Sequence, residues 1–117
     1  MNGAESLLRT LLGGGIDTCS ANPDTCEMQF VTALDRVPGM RPSLCLFDGV
    51  ASGAADGYAR MTGQRAATLL HCRLGLGYAV TNLHNVRRVA NPIVNIVGWL
   101  LLSCCLRPGP FLIELMI

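Results

Sequence analysis

Residues 47–63 read FDGVASGAADGYARMTG. Within seventeen positions, four glycines, four alanines and a serine surround two aspartates, a tyrosine and an arginine. A flexible linker is one reading, and a closely packed helix beside a chemical site is the other. A linker would carry neither Tyr58 nor Met61, nor lie between apolar strand-like runs. The helical reading runs from about Gly49 to Met61 and puts Val50, Ala54, Tyr58 and Met61 on one face. Glycine inside a helix costs about 1 kcal/mol relative to alanine. Gly53 and Gly57 therefore predict a neighbouring backbone that must approach closely. Asp48 precedes the helix at the carboxyl end of a strand, where the helix dipole favours a carboxylate. The residues alone leave Asp48 open, as a simple N-cap or as a group with chemistry.

Working outward, Leu7, Leu8, Leu11 and Leu12 recur at helical spacing and GGG at 13–15 ends that helix. IDTCSA at 16–21 reads as a strand, followed by the turn Asn22-Pro23-Asp24. Asp24 or Thr25 caps a helix running to about Val37, with Met28, Val31, Ala33 and Leu34 as its buried face. SLCLF at 43–47 and AATLLHC at 66–72 are strands, a helix follows from about Gly75 to Val89 with Leu76, Val80 and Leu83 on one side, and PIVNIVG at 92–98 is a fourth strand. Apolar strands alternating with helices predict an α/β fold: a single domain with a doubly wound parallel sheet in a three-layer α/β/α arrangement. In such sheets the chemistry lies in loops at the carboxyl ends of the strands, which begin here at Asn22, Asp48, Arg73 and Gly98.

The composition narrows the function. The chain has 117 residues, half of them apolar and 15% charged, with a net charge of +1. That is enough for one core and excludes the intrinsically disordered class; it gives no electrostatic basis for a nucleic-acid partner. Six cysteines form no CxxC pair, and none brackets His71 or His84 with zinc-finger spacing, so no metal site is expected. Cys19, Cys45 and Cys72 fall in strand-like apolar runs, which predicts reduced structural thiols in a cytoplasmic protein. IVNIVGWLLLSCCL at 93–106 is shorter than the ~20 residues of a membrane-spanning helix and contains Asn95, so no membrane segment is expected. Gly75 and Gly77 form G-x-G but Val80 breaks the dinucleotide fingerprint.

Taken together, these stretches resemble the pyrimidine-binding domain of thiamine-diphosphate enzymes of the acetolactate synthase and benzoylformate decarboxylase kind. The resemblance runs over residues 1–98. GIDTCSANP at 15–23 is similar to the family's first strand and FGxPG-like loop. Ala55-Asp56-Gly57-Tyr58-Ala59-Arg60 matches its AxGYAR pattern, and ATLLHC at 67–72, TNLHNVRR at 81–88 and PIVNIVG at 92–98 follow in family order.

The resemblance implies Asp48 as the catalytic position, where the family usually has a glutamate that hydrogen-bonds the cofactor's aminopyrimidine ring. It implies Asn22, Pro23, Asp48, Arg73, Leu74, Gly75 and Asn82 as residues contacting the pyrimidine half of thiamine diphosphate. Magnesium is expected only through a diphosphate-binding domain that these residues do not provide. The departures fall at the same loops. Aspartate is one methylene short, Arg73-Leu74-Gly75 replaces a Gly-Pro-Gly turn, Pro23-Asp24 replaces Pro-Gly, and Gly98-Trp99 replaces Gly-Asp. Residues 99–117 are expected as an apolar tail, of which PGPFLIELMI at 108–117 is similar to the family's C-terminal strand. The expected function is thiamine diphosphate binding in a 2-keto-acid decarboxylase or carboligase, inactive alone, with a homo-oligomer or a full-length homologue as partner. Two alternatives stand beside it: a non-catalytic interaction module, and a nucleotide-binding α/β domain.

Overall fold

The computed structural model describes residues 2–98 and, by their backbone, residues 111–116. Helix α1 (Gly3–Gly13) is capped by Asn2, whose side chain accepts from the Glu5 N–H at 2.9 Å, and Gly15 at φ 79° turns the chain into the first strand. The elements that follow are β1 (Thr18–Ala21), a 3-10 turn at Thr25–Glu27, α2 (Met28–Arg36), β2 (Arg41–Leu44), α3 (Asp48–Thr62), β3 (Ala66–Leu70), α4 (Cys72–Arg88), β4 (Ile93–Gly98) and β5 (Phe111–Met116). The sheet order is β2-β1-β3-β4-β5, in which β1 to β4 are parallel and β5 runs antiparallel to β4.

The two faces of the sheet are separated by the period of two along each strand. Cys19, Ala21, Ala67, Leu69, Val94 and Ile96 pack on Leu8, Leu11, Phe30 and Ala33 of α1 and α2. Ala66, Leu70, Ile93 and Val97 point the other way, onto Ala51, Ala55 and Ala59 of α3 and Ala79, Leu83 and Val86 of α4. This is the three-layer α/β/α sandwich, with β1, β3 and β4 buried along their whole length, as internal parallel strands require.

Several boundaries move. Met28 is 52% exposed, and Phe30 rather than Met28 fills the core, because the 3-10 turn rotates the start of α2. Strand β2 ends at Leu44, short of the expected Phe47, because as an edge strand it pairs only with β1. The buried stripe of α3 is Ala51, Ser52, Ala55 and Ala59, leaving Val50, Ala54 and Met61 outside. Cys72 is not in β3 but opens α4 at φ 50°. Residues Arg73–Gly75 are therefore helical, and α4 buries Gly75, Ala79, Leu83 and Val86 while Val80 faces outward.

Cys19 and Cys45, expected as reduced structural thiols, are free, whereas Cys26, half-buried on the 3-10 turn outside the core, is disulfide-bonded. Among the described residues no helix is long and apolar enough to cross a membrane. Residues 93–98 of the apolar run form β4, where Asn95 accepts a buried hydrogen bond from the Thr68 hydroxyl at 2.8 Å; Trp99, Cys104 and Cys105 lie outside the described residues.

Candidate functional site at the carboxyl edge of the sheet

Asp48 lies where β1, β3 and the starts of α3 and α4 converge. It is the first residue of α3, with Phe47 at the N-cap position, and its carboxylate does not cap its own helix. Its oxygens serve neighbouring elements instead: Asn22 Nδ2 donates to Oδ2 at 2.9 Å, and the backbone N–H of His71 donates to Oδ1 at 3.0 Å. The residue is 5% exposed. Both oxygens are thus bonded, one of them by the backbone N–H of the residue that caps α4. Gly75 is required here, since a Cβ at that position would sit 2.5 Å from Asp48 Oδ1.

The second acid at this edge carries no motif. Glu27 is fully buried and ends the 3-10 turn, where Asp24 and Glu27 form a capping box. Its Oε2 accepts from the Asp24 N–H at 3.0 Å and lies 2.9 Å from His71 Nδ1. Its Oε1 has no hydrogen-bond partner among the described residues. Any side chain at Gly98 would overlap Oε1, so the glycine closing β4 is set by the glutamate. Asp24 Oδ2 flanks the other ring nitrogen of His71 at 3.8 Å. The sequence signal was present but short: Asp24-Thr25-Cys26-Glu27 has the capping-box spacing, and His71 ends an apolar strand.

Of the residues implied by the resemblance, the structure brings together Asn22, Asp48 and Gly75. Pro23 is half-buried beside them, and Arg73 and Leu74 project from the first turn of α4. Asn82 lies farther along α4, where its amide donates to the Gly49 carbonyl at 2.7 Å and the Ser52 hydroxyl at 3.1 Å, fastening α3 to α4. Around this corner Leu46, Phe47, Val50, Leu74 and Tyr78 are exposed, with the Phe47 and Tyr78 rings 4.9 Å apart.

Residues 1–101 match the family model of the thiamine pyrophosphate enzyme N-terminal TPP binding domain. The chain belongs to this family. IlvX of Mycobacterium tuberculosis (strain ATCC 25618 / H37Rv), which carries an acetolactate synthase large-subunit name, is 60% identical over 98 residues, covering 84% of this chain and 19% of that protein. The acetolactate synthase large subunit of Buchnera aphidicola subsp. Schizaphis graminum is 31% identical over 98 residues, 84% of this chain and 17% of its own. Among solved structures, the thiamine diphosphate-dependent 4-hydroxybenzoylformate decarboxylase of Rhodococcus jostii RHA1 superposes with a TM-score of 0.70 at 30% identity, covering 81% of this chain and 17% of that one. Benzoylformate decarboxylase of Polynucleobacter necessarius shares the fold at a TM-score of 0.74 and 21% identity, covering 84% and 18%. The chain thus spans about a fifth of the length of these relatives.

Within this pyrimidine-binding domain, the acid at the expected catalytic position can be tested against the cofactor it would serve. As placed, it bonds within the protein. Asp48 is 5% exposed, and its two oxygens accept from Asn22 and the His71 N–H. Aspartate is also a methylene shorter than the glutamate that the resemblance implies at this position.

Proposed function

We propose that the chain is a thiamine diphosphate-binding domain of the acetolactate synthase-like kind that contributes the pyrimidine side of a site and has no decarboxylase activity alone. The observation that carries this is the position of Asp48. It stands at the carboxyl edge of the sheet, where the resemblance implies the family's acid, and is turned inward into bonds with Asn22 and His71. The cofactor, when bound, would supply the carbanion chemistry toward a 2-keto acid. The chain would supply a surface formed by Asn22, Pro23 and the first turn of α4, with the diphosphate and magnesium held by another domain.

A partner is part of this reading. Leu46 is 92% exposed and Leu74 70%, beside Phe47, Val50 and Tyr78, which is a surface suited to a full-length homologue or a second copy. The non-catalytic interaction module is therefore the second reading, supported by the same patch. Nucleotide binding has no such support. A phosphate at the start of α4 would meet the Asp48 carboxylate, which already accepts the His71 N–H there.

The test is calorimetric titration of thiamine diphosphate with magnesium into the chain alone, into a full-length relative, and into their mixture. The expected result is no heat with the chain alone and added binding sites in the mixture beyond those of the relative. A mixture that equals the relative alone overturns the cofactor reading. Co-sedimentation without added sites would favour the interaction module.

A further inference from the structure

Behind Asp48, the 3-10 turn and the start of α4 bring four potential donors together. Cys26 Sγ, a Glu27 carboxylate oxygen, a His71 ring nitrogen and Cys72 Sγ all lie within 4.8 Å of one another. Two come from the turn after β1 and two from the junction of β3 and α4, so the grouping is a product of the fold. Sequence spacing did not show it, because each pair is adjacent along the chain rather than spaced like a finger motif.

We infer that this corner is a site for zinc or a similar thiophilic divalent cation, with Cys26, Glu27, His71 and Cys72 as its ligands. The independent observation is Glu27. A fully buried carboxylate has one oxygen, Oε1, without a hydrogen-bond partner among the described residues. Leaving a buried polar oxygen without a partner is costly, and a cation bound to the carboxylate offsets that cost. The donor set selects the metal class: two sulfurs, an imidazole and one carboxylate suit zinc, and not the all-oxygen shells of magnesium or calcium. Tetrahedral zinc holds its donors about 3.3–3.8 Å apart, so the widest-spaced of the four groups need to contract by about 1.5 Å or less. Asp24, 3.8 Å from His71 Nε2, stands where an outer carboxylate orients a ligating histidine through its other ring nitrogen.

Cys26 is disulfide-bonded in this structure, so the complete site belongs to the reduced chain. A dithiol delivers two electrons and two protons to the disulfide, becoming a disulfide itself and leaving Cys26 as a thiol. Zinc then displaces the thiol protons of Cys26 and Cys72 to solvent. None of this depends on thiamine diphosphate, whose magnesium is expected on another domain.

The experiment is titration of cobalt(II), as a spectroscopic stand-in for zinc, into the full chain reduced with a phosphine. (The phosphine takes oxygen from water and becomes phosphine oxide.) The expected result is one equivalent bound, with a thiolate-to-cobalt charge-transfer band and tetrahedral d–d bands that zinc abolishes and that the oxidised chain lacks. Cys72→Ser, His71→Ala and Glu27→Gln are each expected to weaken binding by at least the roughly 10–100-fold that loss of an outer partner costs, while Cys45→Ser binds like the wild type. Absence of the band in the reduced, natively folded chain overturns the assignment. So does any of the three ligand variants that keeps both its native circular dichroism and full cobalt affinity.

Discussion

At the scale of the residue, Asp48 and Cys19 show how burial sets chemistry. Asp48 ties Asn22 after β1 to the His71 N–H at the start of α4. Asp48→Ala removes two charge-assisted hydrogen bonds and is expected to lower stability by about 2–4 kcal/mol, measured by urea unfolding. Asp48→Asn, which keeps an acceptor for the His71 N–H, is expected to cost less than Asp48→Ala; equal losses would show that charge, rather than bonding, is what matters. For Cys19, burial pushes the thiol up to about 12, with the nearby Cys45 adding to the rise. A group whose folded value exceeds its unfolded value contributes stability that is present below the unfolded value of 9.0 and is lost as pH rises toward the folded one. Stability is therefore expected to fall between about pH 9 and 12, and Cys19→Ala should flatten that limb of the profile. In the native state at pH 9, iodoacetamide is expected to spare Cys19 while modifying the half-buried Cys45, as read by peptide mass mapping.

At the scale of the element, the small residues of α3 and α4 separate into two groups. Gly53 meets Asn82 at 3.4 Å from a would-be Cβ, and Gly75 meets Asp48 at 2.5 Å, so both mark close approach between elements. Gly57 and Gly77 have nothing within 4 Å. The close backbone approach expected at both α3 glycines is found at neither among the described residues: Gly53 meets the Asn82 side chain, and Gly57 meets nothing within 4 Å. Gly77→Ala, in open helix, is expected to raise stability by about 0.5–1 kcal/mol. Gly75→Ala is expected to lower it by about 1–3 kcal/mol, because the new methyl displaces the Asp48 carboxylate. Thermal melts of the two variants give opposite signs on this account, and a shared sign would contradict it. The alternation of elements was legible in the apolar periodicity, but the ends of β2 and β3 were not. Cys45–Phe47 and His71–Cys72 are apolar enough to read as strand, and only the pairing register ends the ladders at Leu44 and Leu70.

At the scale of the whole molecule, the sheet leaves an exposed edge at β2, with Leu44, Leu46 and Phe47 running from it toward the exposed rim of α3 and α4. Unpaired edges beside apolar side chains favour association between chains. Leu46→Glu is expected to shift the chain toward monomer without changing its circular dichroism, read by sedimentation velocity over a concentration series. An unchanged distribution would remove this rim as the association surface. The fold class and the sheet's carboxyl edge followed from the sequence by itself, because apolar period and turn residues are local properties of the chain. So did the family, carried by Ala55-Asp56-Gly57-Tyr58-Ala59-Arg60 and the strands around it. Only the tertiary structure decided which way Asp48 faces, that Glu27 is buried against His71, and that Cys26 and Cys72 share a corner. Those facts depend on contacts between residues 23 to 46 positions apart along the chain, and no local pattern encodes such distances.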